Sequence, residues 1–322
     1  PNTSICVTDL VSCEHYRDDD GILFPLISYI SFDIKKGEVV GLCSQDRNIL
    51  YCLIEILGNI RPYYRGLVEY GFENVSRRKG RFTDNVFYLD GSKMLYTHMT
   101  ILEQMMFIDG ETNKKSKRAE AQKKNLDLIS EFGLDKYVLT LIKHLSREMR
   151  MVISILIACM SSCERIIINA NEYEFSAEQC ECIRKIFKHY SQKGKTIVFG
   201  TNLYRAIGIC CDKVLYTNYG KIKAYEDINE LLANYDRVAG SILSSDPEGL
   251  KKISEATLDE SRCYIGKDNY VYFYDCNFDE ILKSNIIPAA QKRNINILSI
   301  RKNNGRVQNC VEELEGEIYD LQ

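Results

Sequence analysis

The segment from Gly41 to Cys52 has the spacing of a phosphate-binding loop, but its residue types cannot do that chemistry. An apolar run ends at Gly41, a polar stretch follows, and an apolar helix pattern begins, as in the motif G-x-x-x-x-G-K-[ST]. In that motif glycines let backbone N–H groups surround phosphate oxygens, a lysine contacts the outer phosphates and a hydroxyl binds magnesium. The glycine, lysine and Ser/Thr positions of the motif are filled here by Ser44, Arg47, Ile49, Leu50, Tyr51 and Cys52. The sequence therefore predicts that this loop does not bind a nucleoside triphosphate in the usual way.

Composition excludes several classes of protein. The net charge of −3 and the pI near 6.0 argue against a general nucleic-acid binder. The sequence contains no run of roughly 18 uncharged apolar residues, so no membrane span is predicted. Thirteen cysteines scattered through apolar segments indicate reduced thiols in a cytoplasmic protein. The close pairs, Cys180 with Cys182 and Cys210 with Cys211, lack the spacing of a zinc site, and we predict no metal site.

Short apolar strands alternate with helix patterns along residues 1–235, which predicts a mainly parallel sheet covered by helices. Residues 236–322 have a different order, β-α-β-β-α-β, which is that of a ferredoxin-like unit. Within it, strands over 262–265 and 270–274 flank a turn at 266–269, and Pro288 is expected to end a helix that begins at Phe278. The sequence thus predicts two domains, 1–235 and 236–322.

A series of landmarks along residues 1–235 has the order and spacing of one known family. The landmarks are a lead-in strand pair over 30–42, Tyr16 where an aromatic stacks on adenine, Gly91 in place of a glutamine, the segment 95–104 after it, His144 to Arg150 at an LSGGQ signature, the acidic-strand region 165–176, Asn202 in place of a switch histidine, and the hairpin at 220–222. Together they resemble the ATP-binding cassette, the motor subunit of ABC transporters. The resemblance implies an α/β fold of the P-loop NTPase type with a small α+β ferredoxin-like C-terminal domain, which is similar to the tails of some drug- and antibiotic-exporter cassettes.

The departures from the family pattern are as systematic as the likeness. Asn169 replaces the aspartate that orients magnesium, Ala170 replaces the glutamate that polarises water, and Asn202 replaces the histidine. In the signature segment Leu145 and Ser146 are retained, while Arg147 and Glu148 replace glycines. The resemblance therefore implies no catalytic residue, no bound cofactor and a vestigial nucleotide site. That site would comprise Tyr16, Ser44, Arg47, Leu50, Tyr51, Cys52, Asn169 and Asn202.

We interpret the chain as a non-catalytic subunit of an ABC transporter. It would pair with an intact cassette, or with a second copy of itself, and would dock on a membrane permease through residues 96–104, at the inner face of the cell membrane. One alternative is an active ATPase, in which Lys36 or Lys93 reaches the phosphates of Mg-ATP. Another is a free-standing scaffold or sensor that uses the C-terminal domain.

Other clusters admit simpler interpretations. Asp18 to Asp20 is expected to form a solvated acidic loop, and Lys114 to Arg118 to lie on a solvated helix face or to contact anionic lipid or RNA. A shift in strand register could bring Glu172 in as a substitute base. Arg147 could contact a nucleotide bound by the partner.

Overall fold

A computed structural model describes residues 3–17, 21–71, 73–74, 85–112, 118–235, 238–256, 258, 262–266, 269–274, 276–302 and 307–314. The predicted acidic loop at 18–20, residues 114–117 of the basic stretch and residues 267–268 of the predicted turn lie outside these ranges. The chain divides into two compact units, residues 1–227 and 228–322.

Strands and helices alternate through most of the first unit. Its strands are β1 (Thr3–Ser12), β2 (His15–Arg17), β3 (Leu23–Pro25), β4 (Ile30–Lys35), β5 (Val39–Ser44), β6 (Tyr63–Tyr70), β7 (Glu73–Asn74), β8 (Val86–Asp90), β9 (Arg165–Asn169), β10 (Thr196–Gly200), β11 (Lys213–Asn218) and β12 (Lys221–Asp227). Its helices are α1 (Arg47–Leu57), α2 (Ile101–Thr112), α3 (Arg118–Glu131), α4 (Arg147–Met160), α5 (Ala177–Gln192) and α6 (Tyr204–Cys210).

The main sheet has the strand order β12-β11-β5-β10-β9-β8. Strands β11, β5, β10, β9 and β8 are parallel, and β12 pairs with β11 in the antiparallel direction. Every residue of β5, β9 and β10 is buried, because helices cover both faces of a parallel sheet. The predicted mainly parallel sheet is confirmed. Its carboxyl edge brings together the ends of β5, β10, β9 and β8, where ligands of open α/β sheets bind.

A separate antiparallel sheet, in the order β4-β1-β6-β7, was not predicted in full. Strand β6 pairs with β1 over most of its length. Its sequence mixes tyrosines with Arg65, Gly66 and Glu69, so it lacks the apolar alternation that would have revealed a strand. The hairpin of β2 and β3 was missed for the same reason, since its six residues show no apolar alternation and none of them is buried.

The second unit has the predicted ferredoxin-like order of elements. Its sheet has the order β14-β15-β13-β16, and helices α8 to α10 pack on one face. The elements are α7 (Ile228–Tyr235), β13 (Val238–Ser244), α8 (Pro247–Glu255), β14 (Cys263–Ile265), β15 (Tyr270–Tyr274), α9 (Phe278–Ile281), a π-helical stretch (Leu282–Ile286), α10 (Ile287–Lys292), β16 (Ile297–Lys302) and α11 (Val307–Leu314).

Two details of the second unit differ from the expectations. The helix expected to end at Pro288 continues to Lys292, because Pro288 lies at the start of α10, directly after the π-helical stretch. A proline lacks an N–H donor, and a wider turn before it removes the need for that hydrogen bond. The boundary between the units falls after Asp227 rather than at 235/236, since α7 packs against α11.

Candidate functional site

In the loop after β5, a side chain of the loop itself caps the helix that follows. Helix α1 begins at Arg47, so only Gln45 and Asp46 separate it from the strand. Asp46 is the N-cap, and its Oδ1 accepts a hydrogen bond from the Asn48 N–H at 2.7 Å. The free N–H groups and the positive end of a helix N-terminus are what bind phosphate in a working loop. Here a carboxylate of the protein occupies that end of the helix.

A second donor of the loop is also taken. The Ser44 N–H donates to Oδ1 of Asn202 at 3.1 Å, and Ser44 itself is buried. Asn218, the last residue of β11, donates from Nδ2 to Oε1 of Gln45 at 2.9 Å. The structure thus places Asn202 against the loop, as the resemblance implied, but as a hydrogen-bond acceptor for the backbone.

The residues at the lysine and hydroxyl positions of the motif, Leu50 and Cys52, are both buried. Leu50 is 1% exposed and Cys52 is fully buried, both within the core of α1 and the sheet. The Cys52 thiol donates to Oε2 of Glu14 at 3.6 Å, and burial raises the pKa of that thiol to about 12. Glu14 in turn pairs with Arg61 at 2.9 Å. The position where a lysine would project towards phosphate is therefore part of the apolar core.

The end of β9 carries amides instead of carboxylates. Oδ1 of Asn169 accepts from the Asn171 N–H at 3.3 Å, and Ala170 is fully buried. Within the described residues, Nδ2 of Asn169, both amide atoms of Asn171 and Oγ of Ser44 have no partner. These neutral groups can bind water, but they are not the hard anionic oxygens that magnesium prefers. The residues present do not fit Mg-ATP.

The structure places Glu172 and Lys36 away from the positions that the predicted alternatives need, whereas Lys93 stays a prediction. Asn169 pairs with Gly200 and with Asp90, so β9 shows no register shift that would move Glu172 to the base position. Lys36 lies in the turn before β5, at the opposite end of that strand from the loop. Lys93 follows β8 at the carboxyl edge and is exposed, where its charge acts on Asp90.

Negative charge gathers at the carboxyl edge of the sheet. Burial, with the nearby Glu55 carboxylate, raises the pKa of Asp90. Burial, together with Glu172, raises the pKa of Tyr51. Both shifts indicate surroundings that disfavour an added negative charge. Asp46 and Asp90 were not predicted as members of this site, although an aspartate directly before an apolar helix is an N-cap signal.

Tyr16, at the adenine-stacking position, lies on β2 and is half-buried. Its ring stacks on Phe24 of β3, with a centroid separation of 5.6 Å and an interplanar angle of 24°. One face of the ring is therefore covered by the protein.

In the signature-like segment, a serine caps α4 and the arginine after it contacts a glutamate of the same chain. Oγ of Ser146 accepts from the Met149 N–H at 3.1 Å as the N-cap of α4, and Leu145 is buried beside it. Nη2 of Arg147 pairs with Oε2 of Glu172 at 3.3 Å within the same chain. In the single chain, the guanidinium of Arg147 is thus bound by Glu172, and a contact between Arg147 and a partner's nucleotide stays a prediction.

The segment predicted to dock on a permease presents an aromatic surface. Tyr96 is 45% exposed and meets Phe107 of α2 edge-on, at a centroid separation of 5.3 Å. The buried Gln104 fixes the backbone here, because its Oε1 accepts from the Tyr96 N–H at 2.9 Å. We call Tyr96 and Phe107 the aromatic patch.

No family model matches the chain. The teichoic acids export ATP-binding protein TagH of Bacillus cereus is 22% identical over 244 residues, which is 74% of this chain and 41% of TagH. The chain thus spans less than half the length of that relative. The ABC transporter ATP-binding protein NatA of Bacillus subtilis is 20% identical over 215 residues, which is 66% of this chain and 86% of NatA.

Solved structures agree with the fold. An ATP-binding subunit of an ABC transporter superposes with a TM-score of 0.55 at 18% identity, covering 73% of this chain and 94% of the other. A dimeric ATP-binding cassette in a post-hydrolysis state with ADP and Pi gives 0.53 at 14% identity, covering 69% and 98%.

The fold is that of the ATP-binding cassette, as predicted. The relatives are ABC transporter ATP-binding subunits, and the chain is similar to TagH and NatA over 74% and 66% of its length. Among the described residues, no helix has the length and apolar character needed to cross a bilayer.

Proposed function

We propose that this chain is a non-catalytic cassette subunit, which supports an intact cassette and a membrane permease without hydrolysing ATP. The observation that carries the proposal is the state of the loop after β5. Asp46 caps α1, Asn202 accepts the Ser44 N–H, and Leu50 is buried where a lysine would be needed.

Each of these contacts opposes a triphosphate for a separate physical reason. A carboxylate at a helix N-terminus competes with phosphate for the same N–H groups and repels it. A leucine offers no charge for the outer phosphates, and restoring one would place an ammonium in the core. The loss of several electrostatic contributions together leaves no route for phosphoryl transfer, since that reaction depends on positioning and charge stabilisation.

The features of the cassette that this chain retains support the proposed partners. The cassette fold and the aromatic patch persist, although the chemical groups of the site do not. Exposed aromatic side chains held on a fixed backbone are typical of protein interfaces. We therefore place the permease contact at Tyr96 and Phe107, and assign this chain to the cytoplasmic side of a membrane as a peripheral subunit.

The first experiment tests the nucleotide site. Isothermal titration of the chain with Mg-ATP, beside an intact cassette as positive control, should give no binding heat at concentrations where the control saturates. Micromolar affinity together with turnover by the isolated chain would show that the proposal is wrong.

The second experiment tests the partners. The chain is co-expressed with an ABC transporter permease and an intact cassette from the same genome, and capture of the permease is quantified. Tyr96→Ala should reduce capture at least roughly ten-fold, as expected for an interface hot spot. Tyr219→Ala removes another tyrosine that is 66% exposed in the first unit and should leave capture unchanged. Equal losses for the two variants would contradict the assignment of the aromatic patch.

A further inference from the structure

We infer that Glu172 forms a clamp that fixes the N-terminus of α4 to α1 without any ligand. Both oxygens of its carboxylate are used, by two different helices. Oη of Tyr51 in α1 donates to Oε1 at 3.2 Å, and Nη2 of Arg147 in α4 donates to Oε2 at 3.3 Å. We call Tyr51, Glu172 and Arg147 the Glu172 clamp.

Additional contacts hold Arg147 in the clamp. Its Nη1 donates to the backbone oxygen of Glu172 at 3.1 Å, and its guanidinium lies 4.5 Å from the ring centroid of Tyr173. Tyr173 is itself buried and stacks on Phe175, with an interplanar angle of 11°. A planar guanidinium held by a carboxylate, a carbonyl and an aromatic face has few alternative positions.

The clamp also lies at one end of a continuous connection that begins at the aromatic patch. The Ile142 N–H donates to the Met99 oxygen at 2.9 Å, and the Lys143 N–H donates to the Thr97 oxygen at 3.0 Å. These bonds join the segment after Tyr96 to the residues that lead directly into α4. Contacts therefore run from the aromatic patch to α4 through backbone hydrogen bonds, and from α4 to α1 through Glu172.

The position of α4 relative to α1 is therefore set by residues of this chain and not by a bound nucleotide. Tyr51 occupies a magnesium-ligand position of the loop motif, and Arg147 occupies a glycine position of the signature. Their side chains meet at Glu172, and so a link between loop and signature-like segment exists with no nucleotide. The link to a docked permease rests on the proposed function, whereas the clamp does not.

The pair in the clamp is partly exposed, which sets the size of the expected effect. The side chains of Arg147 and Glu172 are 52% and 66% exposed, and exposed ion pairs contribute modestly to stability. The effect should therefore be local, at the first turn of α4, with little change in global unfolding.

Hydrogen exchange of the full chain measures this local effect. Glu172→Ala and Arg147→Ala should each accelerate amide exchange in residues 146–150 by roughly two- to five-fold. The double variant should accelerate exchange by less than the product of the two single effects, because both changes remove the ion pair between Arg147 and Glu172. Tyr51→Phe should have a smaller effect on the same peptide, since it removes a single hydrogen bond. Glu174→Ala is the matched control, because that carboxylate is exposed in the same loop and makes no ion pair with a described residue.

Unchanged exchange in both single variants, an effect equal to that of Glu174→Ala, or additive effects in the double variant would each overturn the clamp. The same samples with Mg-ATP separate the clamp from the proposed function. Protection by ATP at residues 44–52 with the clamp variants behaving as expected would disprove only the proposed function. Absence of protection with unchanged exchange at α4 would disprove only the clamp.

Discussion

Helices α1 and α4 of the first unit both begin at positions where a working cassette would meet phosphate, and their N-caps differ. Asp46 caps α1 with a carboxylate, whereas Ser146 caps α4 with a neutral hydroxyl. Both side chains satisfy one backbone N–H of the helix. The carboxylate also adds a negative charge where an anion would have to bind.

The difference shows that the N-termini of α1 and α4 depart from a working cassette in different ways. At α1 the space and charge of the site are filled by the protein, through Asp46, Leu50 and Asn202. At α4 the cap survives, and the bulky Arg147 turns onto Glu172 and Tyr173 of its own chain. Three sets of substitutions test this comparison, in decreasing order of expected effect.

Leu50→Lys should be the most destabilising change, because it restores the motif's lysine at a position that is 1% exposed. Burying an unpaired ammonium is expected to lower the free energy of unfolding by about 4 kcal/mol or more. Urea denaturation of the variant gives this value, with Leu50→Met as the control of similar volume, for which a loss below about 1.5 kcal/mol is expected. A loss below about 1 kcal/mol for Leu50→Lys would mean that this side chain reaches solvent and that the loop is not closed.

The two caps should contribute similarly to stability despite their different charge. Asp46→Ala and Ser146→Ala are each expected to lower the free energy of unfolding by about 1 kcal/mol, since each leaves an N–H without its acceptor. Asp46→Asn keeps an acceptor oxygen and should lose only a few tenths of that amount, roughly 0.3 kcal/mol. If Asp46→Asn were as damaging as Asp46→Ala, the carboxylate charge rather than the cap would be the stabilising element. Chemical denaturation at one pH is sufficient for this comparison.

Asp90→Asn should have the smallest effect, and it should depend on pH. Burial and Glu55 raise the pKa of Asp90 in the folded state, so its contribution to stability is present at low pH and is lost as the pH rises through that pKa. At pH 7 the folded chain therefore holds a carboxylate whose ionised form is disfavoured, and the asparagine variant should be slightly more stable. Below the ordinary aspartate pKa of about 3.9 the difference should vanish.

Urea midpoints at pH 7 and at about pH 3.5 measure the change for Asp90→Asn, with Glu174→Gln as the control for an exposed carboxylate. A variant that is less stable than the wild type at pH 7 would indicate that Asp90 makes a favourable contact in its ionised form.

Much of the fold could be predicted from local pattern. The apolar runs that became β5, β9 and β10 are buried on both faces, which is why they are easy to recognise. Strand β6 was missed because pairing with β1, and not its own composition, makes it a strand. The helix end predicted at Pro288 is wrong because a π-helical stretch precedes that proline, a feature that no local residue pattern indicates.

The candidate site could be predicted only in part. The absence of a lysine at Leu50 and of carboxylates at Asn169 and Ala170 is visible in the sequence. The partners that these positions acquired are not visible, because they are far apart along the chain. Tyr51 and Glu172 are 121 residues apart, and Ser44 and Asn202 are 158 apart.

The amino-acid sequence specifies which chemical groups are present at the loop, at the end of β9 and at the signature-like segment, since residue identity fixes charge and hydrogen-bonding capacity. The partners of those groups are set by the packing of the folded chain. Asp46 became a cap, Asn202 an acceptor for the loop backbone and Glu172 a bridge between two helices. The physical reason is that buried or confined polar groups must find partners, and which partners are within reach depends on the packing of elements that are distant in sequence.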